Sequence, residues 1–225
     1  MGRLPVLWTG VLGASLCLFV HGQQTPAKEA PTEAKGLPPR ATPGDYQGRA
    51  QAGQVTIAAE FMEHGVPTSE GTLTTDDYVS VEVGLFGPAG TRVTLTPDDF
   101  TLQITTKKKA PYPARPFGLV IASGSLKDPE WVPPEEPKSK SKTSLGGGGD
   151  DQGASNAPPP PVKIPFEVQR AMALKVQKAA LPEGDRALPV AGVIFFQYRG
   201  NVKKIQSVEL VYSGSAGKAT VPLQP

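Results

Sequence analysis

The sequence predicts an all-β protein in which about seven strands form one β-sandwich, and three observations lead to this fold class. Apolar and polar residues alternate over residues 55–62 and again over residues 79–85, as in strands that bury one face. Residues 190–196 are apolar on both faces, which is typical of a central strand. Turns that contain glycine, proline or asparagine separate the apolar segments.

The amino terminus predicts an export signal. Arg3 precedes an uncharged apolar run from Leu4 to Val20, and Gly22 supplies a small residue at the expected cleavage point. Polar, proline-containing sequence follows at once. We therefore predict a signal peptide at residues 1–22 and an exported protein in the periplasm, outside the cell or at the cell surface.

A retained membrane anchor is the alternative interpretation of this segment. Its 17 apolar residues, 4–20, fall short of the length of about 20 that is typical of a membrane-spanning helix. No other stretch of the chain is long and apolar enough to cross a bilayer, so we predict no transmembrane span in the mature chain. Cys17 lies inside the apolar run rather than after a small residue, so lipidation is not expected.

The charge and the cysteine content limit the possible functions. The formal net charge is only +2, and Arg3 would leave with the signal peptide, so we predict no nucleic-acid partner. Cys17 is the single cysteine and would leave as well. Without a disulfide, a hydrophobic core must stabilise the exported protein.

Residues 23–53 are predicted to be a disordered spacer. They are rich in proline, glycine, alanine, glutamine and charged residues, and Leu37 and Tyr46 are nearly their only large apolar groups. Strand patterns begin at residue 54, so residues 54–225 are predicted to form a single domain. Its first strands are expected around residues 55–61, 79–85, 93–95 and 100–104.

A Pro/Gly/Lys-rich stretch at residues 105–165 interrupts the strand pattern and is predicted to be a disordered insertion. Within it, residues 117–121 are apolar and are expected to form a short extra strand or to pack on the domain. Residues 166–181 predict a helix, because Pro165 and Pro182 bound the segment and apolar residues recur at helical spacing.

Strand patterns return after the helix, around residues 190–196, 208–212 and 219–223. Neither group of strands is large enough to enclose a core alone, so the two groups are expected to form one sandwich that the insertion interrupts. Its length approaches the ~100 residues of an immunoglobulin-like β-sandwich. The cysteines and the core tryptophan of antibody domains are absent, so the analogy concerns architecture alone.

Three segments near the carboxyl terminus carry a resemblance: Leu181–Gly184, Pro189–Gly200 and Ser207–Tyr212. They resemble a group of uncharacterised exported bacterial proteins for which an immunoglobulin-like β-sandwich is expected. The resemblance covers the last fifth of the chain well and the first strands more loosely. It implies the fold and the exported location, and it implies no catalytic or binding residue.

Two acidic turns are the candidate metal site. Asp76 and Asp77 precede one predicted strand, and Asp98 and Asp99 precede another, in each case after a threonine. Paired aspartates at the end of a sandwich can bind Ca²⁺ through their oxygen atoms. The alternative interpretation is that their short side chains accept hydrogen bonds from nearby backbone N–H groups and form turns.

Other chemistry-bearing residues are sparse. Trp131 lies beside prolines and is a candidate anchor for a partner, or it folds back onto the domain. His64 would be the only histidine left after processing, and no Gly-x-Ser-x-Gly motif accompanies it, so no catalytic triad is predicted. We predict a non-enzymatic protein that binds an envelope or extracellular protein or polymer. The alternatives are a calcium-dependent adhesion or stability module and a hydrolase with an atypical carboxylate site.

Overall fold

The computed structural model describes residues 35–132 and 164–225. The predicted signal peptide, residues 23–34 and residues 133–163 lie outside the described residues. The described strands are β1 (Gly48–Ala52), β2 (Val55–Phe61), β3 (Gly65–Thr68), β4 (Gly71–Thr75), β5 (Tyr78–Phe86), β6 (Arg92–Leu95), β7 (Phe100–Thr105), β8 (Lys109–Arg115), β9 (Leu126–Lys127), β10 (Gly184–Ala187), β11 (Val190–Gln197), β12 (Ser207–Gly214) and β13 (Gly217–Leu223). The described helices are α1 (Phe117–Ala122) and α2 (Phe166–Ala179), with short 3-10 turns at Pro43–Asp45, Pro97–Asp99 and Val202–Lys204.

Eight of the strands form one antiparallel sheet in the order β1-β2-β5-β11-β8-β7-β12-β13. The pairing of β11 with β8 is short, with Phe195 opposite Arg115 and Phe196 opposite Ala114. The edge strands β1 and β13 also lie against each other, since a Cβ on Gly48 would overlap the carbonyl oxygen of Pro222. The sheet therefore curls until it is nearly closed, and the prediction of an all-β fold is confirmed.

The interior of the curled sheet is the main hydrophobic core. Alternation places Phe100, Leu102 and Ile104 of β7 inside, while the residues between them stay half-exposed. The Phe100 ring packs on Tyr212 of β12, with ring centroids 5.2 Å apart. Each such buried side chain stabilises the fold by about 1.5–3 kcal/mol relative to an exposed one, so the alternation in the sequence decides which face of each strand turns inward.

A second hydrophobic cluster lies outside the sheet. Helix α2 packs there with α1 and with the small sheet β3-β4-β9, and Met172 and Val176 of α2 are buried. Phe195 of β11 belongs to this outer cluster, whereas Phe196 belongs to the main core. Strand β11 is therefore covered on both faces, as its continuous apolar run predicts. Helix α2 lies within the predicted segment 166–181.

The prediction of a disordered spacer is wrong for its described part, residues 35–53. Strand β1 pairs with β2, and the backbone N–H of Leu37 donates to the carbonyl oxygen of Ala191 at 3.0 Å. The Tyr46 side chain is buried against β5, where Gly84 leaves room for it: a Cβ on Gly84 would lie 2.6 Å from the Tyr46 hydroxyl. Composition alone misses this segment because its few apolar groups dock on a sheet formed by distant residues.

The prediction of a disordered insertion is wrong for residues 105–132. They form β8, α1 and β9. Residues 117–121 are helical rather than a strand, and the alternative expectation that they pack on the domain is confirmed, because Val120 is buried in the outer cluster. Strand β8 lies between β7 and β11 in the sheet. Pro111 and Pro113 have no N–H to donate, which weakens the strand signal and limits hydrogen bonding on one edge of β8.

Candidate binding groove

A surface groove opens where β8 and the residues after β11 separate. It has a volume of about 480 Å³. At its base, Tyr112 of β8 meets Tyr198, with ring centroids 5.6 Å apart and ring planes nearly perpendicular. We call this feature the arginine–tyrosine groove, and its walls are formed by Tyr112, Pro113, Arg115, Gln197, Tyr198, Arg199 and Gly200.

Tyr198 is held in the groove through both its backbone and its side chain. Its backbone N–H donates to the carbonyl oxygen of Asp77 at 3.0 Å, and its side chain is buried. Gly200 is required beside it, because a Cβ at that position would overlap the Tyr198 ring. Burial raises the pKa of the Tyr198 phenol, and the neighbouring Tyr112 raises it further. The phenol is therefore neutral at physiological pH.

The two arginines of the groove present their charges to solvent. Arg199 Nε lies 2.7 Å from Asp77 Oδ1, yet 70% of the Arg199 side chain is exposed. Arg115 is exposed on β8, and its side chain forms no hydrogen bond or ion pair with the described residues. Guanidinium groups in such positions can form paired hydrogen bonds with a carboxylate or a phosphate.

The chain around the groove is strongly basic. Residues 106–115 and 197–206 contain seven basic residues and no acidic residue. The basic residues are Lys107, Lys108, Lys109, Arg115, Arg199, Lys203 and Lys204. The two segments are adjacent, since the backbone N–H of Gln206 donates to the carbonyl oxygen of Thr105 at 2.7 Å. They therefore form one positive surface on a protein of nearly neutral net charge.

Acidic residues from elsewhere in the chain reduce this positive charge in part. Asp77 pairs with Arg199, and Glu209 of β12 lies 2.6 Å from Lys109 Nζ. The Lys109 pair is exposed, so it contributes ~0–1 kcal/mol and can exchange for an anionic ligand. The remaining five basic side chains give the surface its surplus of positive charge.

In the first predicted calcium-binding turn, each of the two aspartates forms an ion pair with a basic side chain. Asp76 lies at the surface, with its Oδ2 atom 2.6 Å from Lys127 Nζ. The Asp77 carboxylate instead forms an ion pair with Arg199 of the groove. The two neighbouring carboxylates therefore serve two different cations rather than one shared site.

The second turn is built by hydrogen bonds within it. The backbone N–H of Thr96 donates to Asp99 Oδ2 at 2.8 Å, and this contact begins a 3-10 turn at Pro97. Asp98 is exposed. Within residues 35–132 and 164–225, no group of three or more histidine, cysteine or acidic side chains is placed to hold a metal ion. The structure thus does not bring the two aspartate pairs together as a metal site.

Trp131 and His64 do not line the groove. Trp131 is half-buried, and its backbone N–H donates to the carbonyl oxygen of Asp128 at 3.1 Å in the turn after β9. It lies next to residue 132, the last one described before residue 164. His64 Nδ1 lies 2.7 Å from the carbonyl oxygen of Tyr78, so its ring contacts the backbone of β5.

Sequence reasoning missed the groove because it missed β8. The composition of residues 105–165 predicts a disordered insertion, and proline on both sides of Tyr112 argues against a strand. Two signals were nevertheless present: the aromatic residue between two prolines, and the Tyr198-Arg199 pair after the most apolar strand. Only the pairing of β8 with β11 shows that these residues are neighbours.

A second, more apolar groove lies between α1 and α2. Its walls include Ile121, Met172 and the exposed Phe166, and its volume is about 610 Å³. Ile164 and Phe166 in the wall closely follow residues 133–163, which the structure does not describe. Because these neighbouring residues lie outside the described parts of the chain, this groove is not taken as a candidate site.

Comparison of the chain with protein-family models, with curated proteins and with solved structures finds no match. Neither helix in the described parts of the chain is long and apolar enough to span a lipid bilayer. The fold and the groove together define a β-rich protein that presents two arginines beside a fixed pair of tyrosines.

Proposed function

We propose that this protein is an exported, non-enzymatic binding protein whose arginine–tyrosine groove takes up anionic groups of an envelope or extracellular partner. One observation carries the proposal: Arg115 and Arg199 flank an aromatic pair within two adjacent segments that contain only basic charges. Arginine binds carboxylates and phosphates with two parallel hydrogen bonds. A rigid aromatic base beside it adds contact area at little cost in conformational entropy.

The chemistry of the groove favours binding over catalysis. A general base must give up and accept protons near the working pH. Arginine stays protonated, and the raised pKa of Tyr198 keeps its phenol protonated as well. The carboxylates of Asp76, Asp77 and Asp99 already contact Lys127, Arg199 and the Thr96 backbone. These contacts give the alternative of a carboxylate hydrolase no support.

Export and the finer fold are part of the same proposal. The predicted signal peptide at residues 1–22 supports a location in the periplasm, outside the cell or at its surface. The immunoglobulin-like arrangement also stays a prediction, with strands β1-β2-β5-β11 and β8-β7-β12-β13 as the two halves of the sandwich. Cell fractionation with N-terminal sequencing tests export: a protein that begins near residue 23 outside the cytoplasm supports it, and a cytoplasmic protein that begins at Met1 contradicts it.

The binding function is tested with a panel of anionic probes. The purified protein is titrated with an acidic polysaccharide, with acidic polypeptide and with anionic phospholipid vesicles. We expect at least one probe to bind and the double variant Arg115→Gln/Arg199→Gln to bind it at least ten-fold more weakly. Arg49→Gln/Lys218→Gln is the matched control, because it removes the same charge from the edge strands β1 and β13. Absence of binding to every probe, or equal loss in both variants, contradicts the proposed function.

A further inference from the structure

We propose that the anionic partner is a linear polysaccharide that carries carboxylates, bound along the exposed face of β8 and into the arginine–tyrosine groove. This inference rests on the proposed function and specifies its partner. It is carried by the order of side chains along β8, by the fixed aromatic pair in the groove and by two prolines that make the unpaired edge of β8 a poor partner for an added strand.

Strand β8 presents a row of alternate residues to solvent. Lys109, Pro111, Pro113 and Arg115 are all exposed, whereas Ala114 on the opposite face is buried. A strand rises about 3.3 Å per residue, so the two cations are about 20 Å apart with two proline rings between them. The row therefore has a positive charge at each end and flat apolar surface between them, over the length of several sugar units.

This order of side chains suits an acidic polysaccharide. One face of a sugar ring carries mainly C–H groups and can pack on proline or tyrosine rings, while carboxylates on the chain reach lysine and arginine. The Tyr112 ring lies on the other face of the strand, as Ala114 does, and it meets a bound chain inside the groove, where Tyr198 holds it in place. Lys203 and Lys204, in the turn that follows the groove, extend the positive surface for a chain with repeated charges.

Two other classes of macromolecule fit this surface less well. A peptide could add to a sheet only at a free strand edge. Strand β11 pairs only with Ala114 and Arg115 of β8, and on the part that it leaves unpaired Pro111 and Pro113 have no N–H to donate to an added strand. A lipid surface would gain little from apolar insertion here. The exposed large apolar side chains of the described chain are Leu119, Val132, Phe166 and Leu174, and none of them lies in the row or in the groove.

The test compares four probes that separate charge from sugar chemistry. Polygalacturonate supplies rings and carboxylates, its methyl ester supplies rings without charge, polyglutamate supplies carboxylates without rings, and phosphatidylglycerol vesicles supply a lipid surface. Binding of the purified protein to each is measured by calorimetry at one ionic strength. We expect polygalacturonate to bind at least ten-fold more tightly than the other three, and Arg115→Gln/Arg199→Gln to lose at least ten-fold of that affinity.

A variant that removes the aromatic ring of Tyr112 provides a second test. Tyr112→Ala is expected to weaken polygalacturonate binding at least three-fold and to leave polyglutamate binding unchanged. Equal affinity for polygalacturonate and polyglutamate overturns the inference, because charge alone would then explain binding. Binding to vesicles or polyglutamate alone also overturns it, although the proposed function survives if the arginine variant loses that binding. Failure of all four probes contradicts both.

Discussion

The Arg40 guanidinium donates two hydrogen bonds to the Glu82 carboxylate, from Nε to Oε1 at 3.2 Å and from Nη2 to Oε2 at 2.8 Å. Glu82 is the buried acidic residue of β5, and Arg40 also pairs with Glu60 of β2 and lies 4.5 Å above the Tyr46 ring. Burial alone would lower the pKa of the Arg40 guanidinium, but the hydrogen bonds to Glu82 and Glu60 outweigh it and raise that pKa. Together, these contacts of Arg40 hold residues 35–46 against the outer face of the sheet.

The variant Arg40→Gln is expected to lower the free energy of unfolding by about 2 kcal/mol, because it leaves Glu82 without its charged partner. Urea denaturation followed by circular dichroism measures this loss. Glu82→Gln in the Arg40→Gln background should restore part of the stability, since no buried charge then lacks a partner. Arg49→Gln, on the exposed face of β1, is the control with an expected change below about 0.5 kcal/mol. Equal stability of the Arg40 and Arg49 variants would contradict the prediction.

Gly200 is predicted to be indispensable for the arginine–tyrosine groove. Gly200→Ala places a Cβ into the Tyr198 ring, so the ring must move, at an expected cost of about 1–3 kcal/mol. Affinity for the anionic probe should fall with it. Gly118→Ala in α1 is the matched control, because a Cβ there meets nothing within 4 Å and alanine favours a helix by up to about 1 kcal/mol. Thermal unfolding and probe binding of the two variants check this, and an unchanged Gly200→Ala protein would refute it.

Stability is predicted to fall in alkaline solution. Burial raises the pKa of both Tyr46 and Tyr198 above the ordinary value of about 10. Above pH 10 the unfolded chain releases these protons first, so the stability that is fully present below pH 10 is lost as the pH rises through the folded-state values. Melting temperatures between pH 8 and pH 11 test the sign. Tyr198→Phe should lose less stability than the parent protein over this range, and an equal slope would contradict the assignment.

The two aspartates of the second turn are predicted to differ. Asp99→Ala removes the acceptor of the Thr96 N–H and should cost about 1 kcal/mol, whereas the exposed Asp98→Ala should be nearly neutral. Chemical denaturation of both variants measures this difference. Equal effects of the two substitutions would show that the hydrogen bond contributes nothing.

Calcium is expected to leave the melting temperature unchanged. A ligand that binds only the folded state must raise apparent stability. Asp76, Asp77 and Asp99 already have partners in Lys127, Arg199 and the Thr96 backbone, and the described residues contain no group placed to hold a metal. Thermal unfolding in excess Ca²⁺ and in chelator tests this. A rise with Ca²⁺ that is lost in Asp76→Asn/Asp77→Asn would restore the calcium hypothesis.

Strands with a strong alternation could be predicted from the sequence, and the candidate groove could not. Strand β7 matches the predicted residues 100–104 closely. Its apolar side chains all lie on one face, and burying that face requires an extended strand whichever strands become its neighbours. Strand β8 has no such pattern. Its two prolines oppose a strand locally, and only the neighbouring strands β7 and β11 compensate for them.

The all-β class, the main inward faces and the burial of β11 on both sides could be predicted from the sequence, because they depend on apolar periodicity within single segments. Which segments are neighbours depends on the tertiary structure. It ordered residues 35–53 by docking Tyr46 into the space above Gly84, and it joined residues 106–115 to residues 197–206 as one basic surface. Such contacts join residues that are far apart in the chain, so they stabilise the protein only once the whole sheet has formed. For the same reason, no local sequence pattern predicts them.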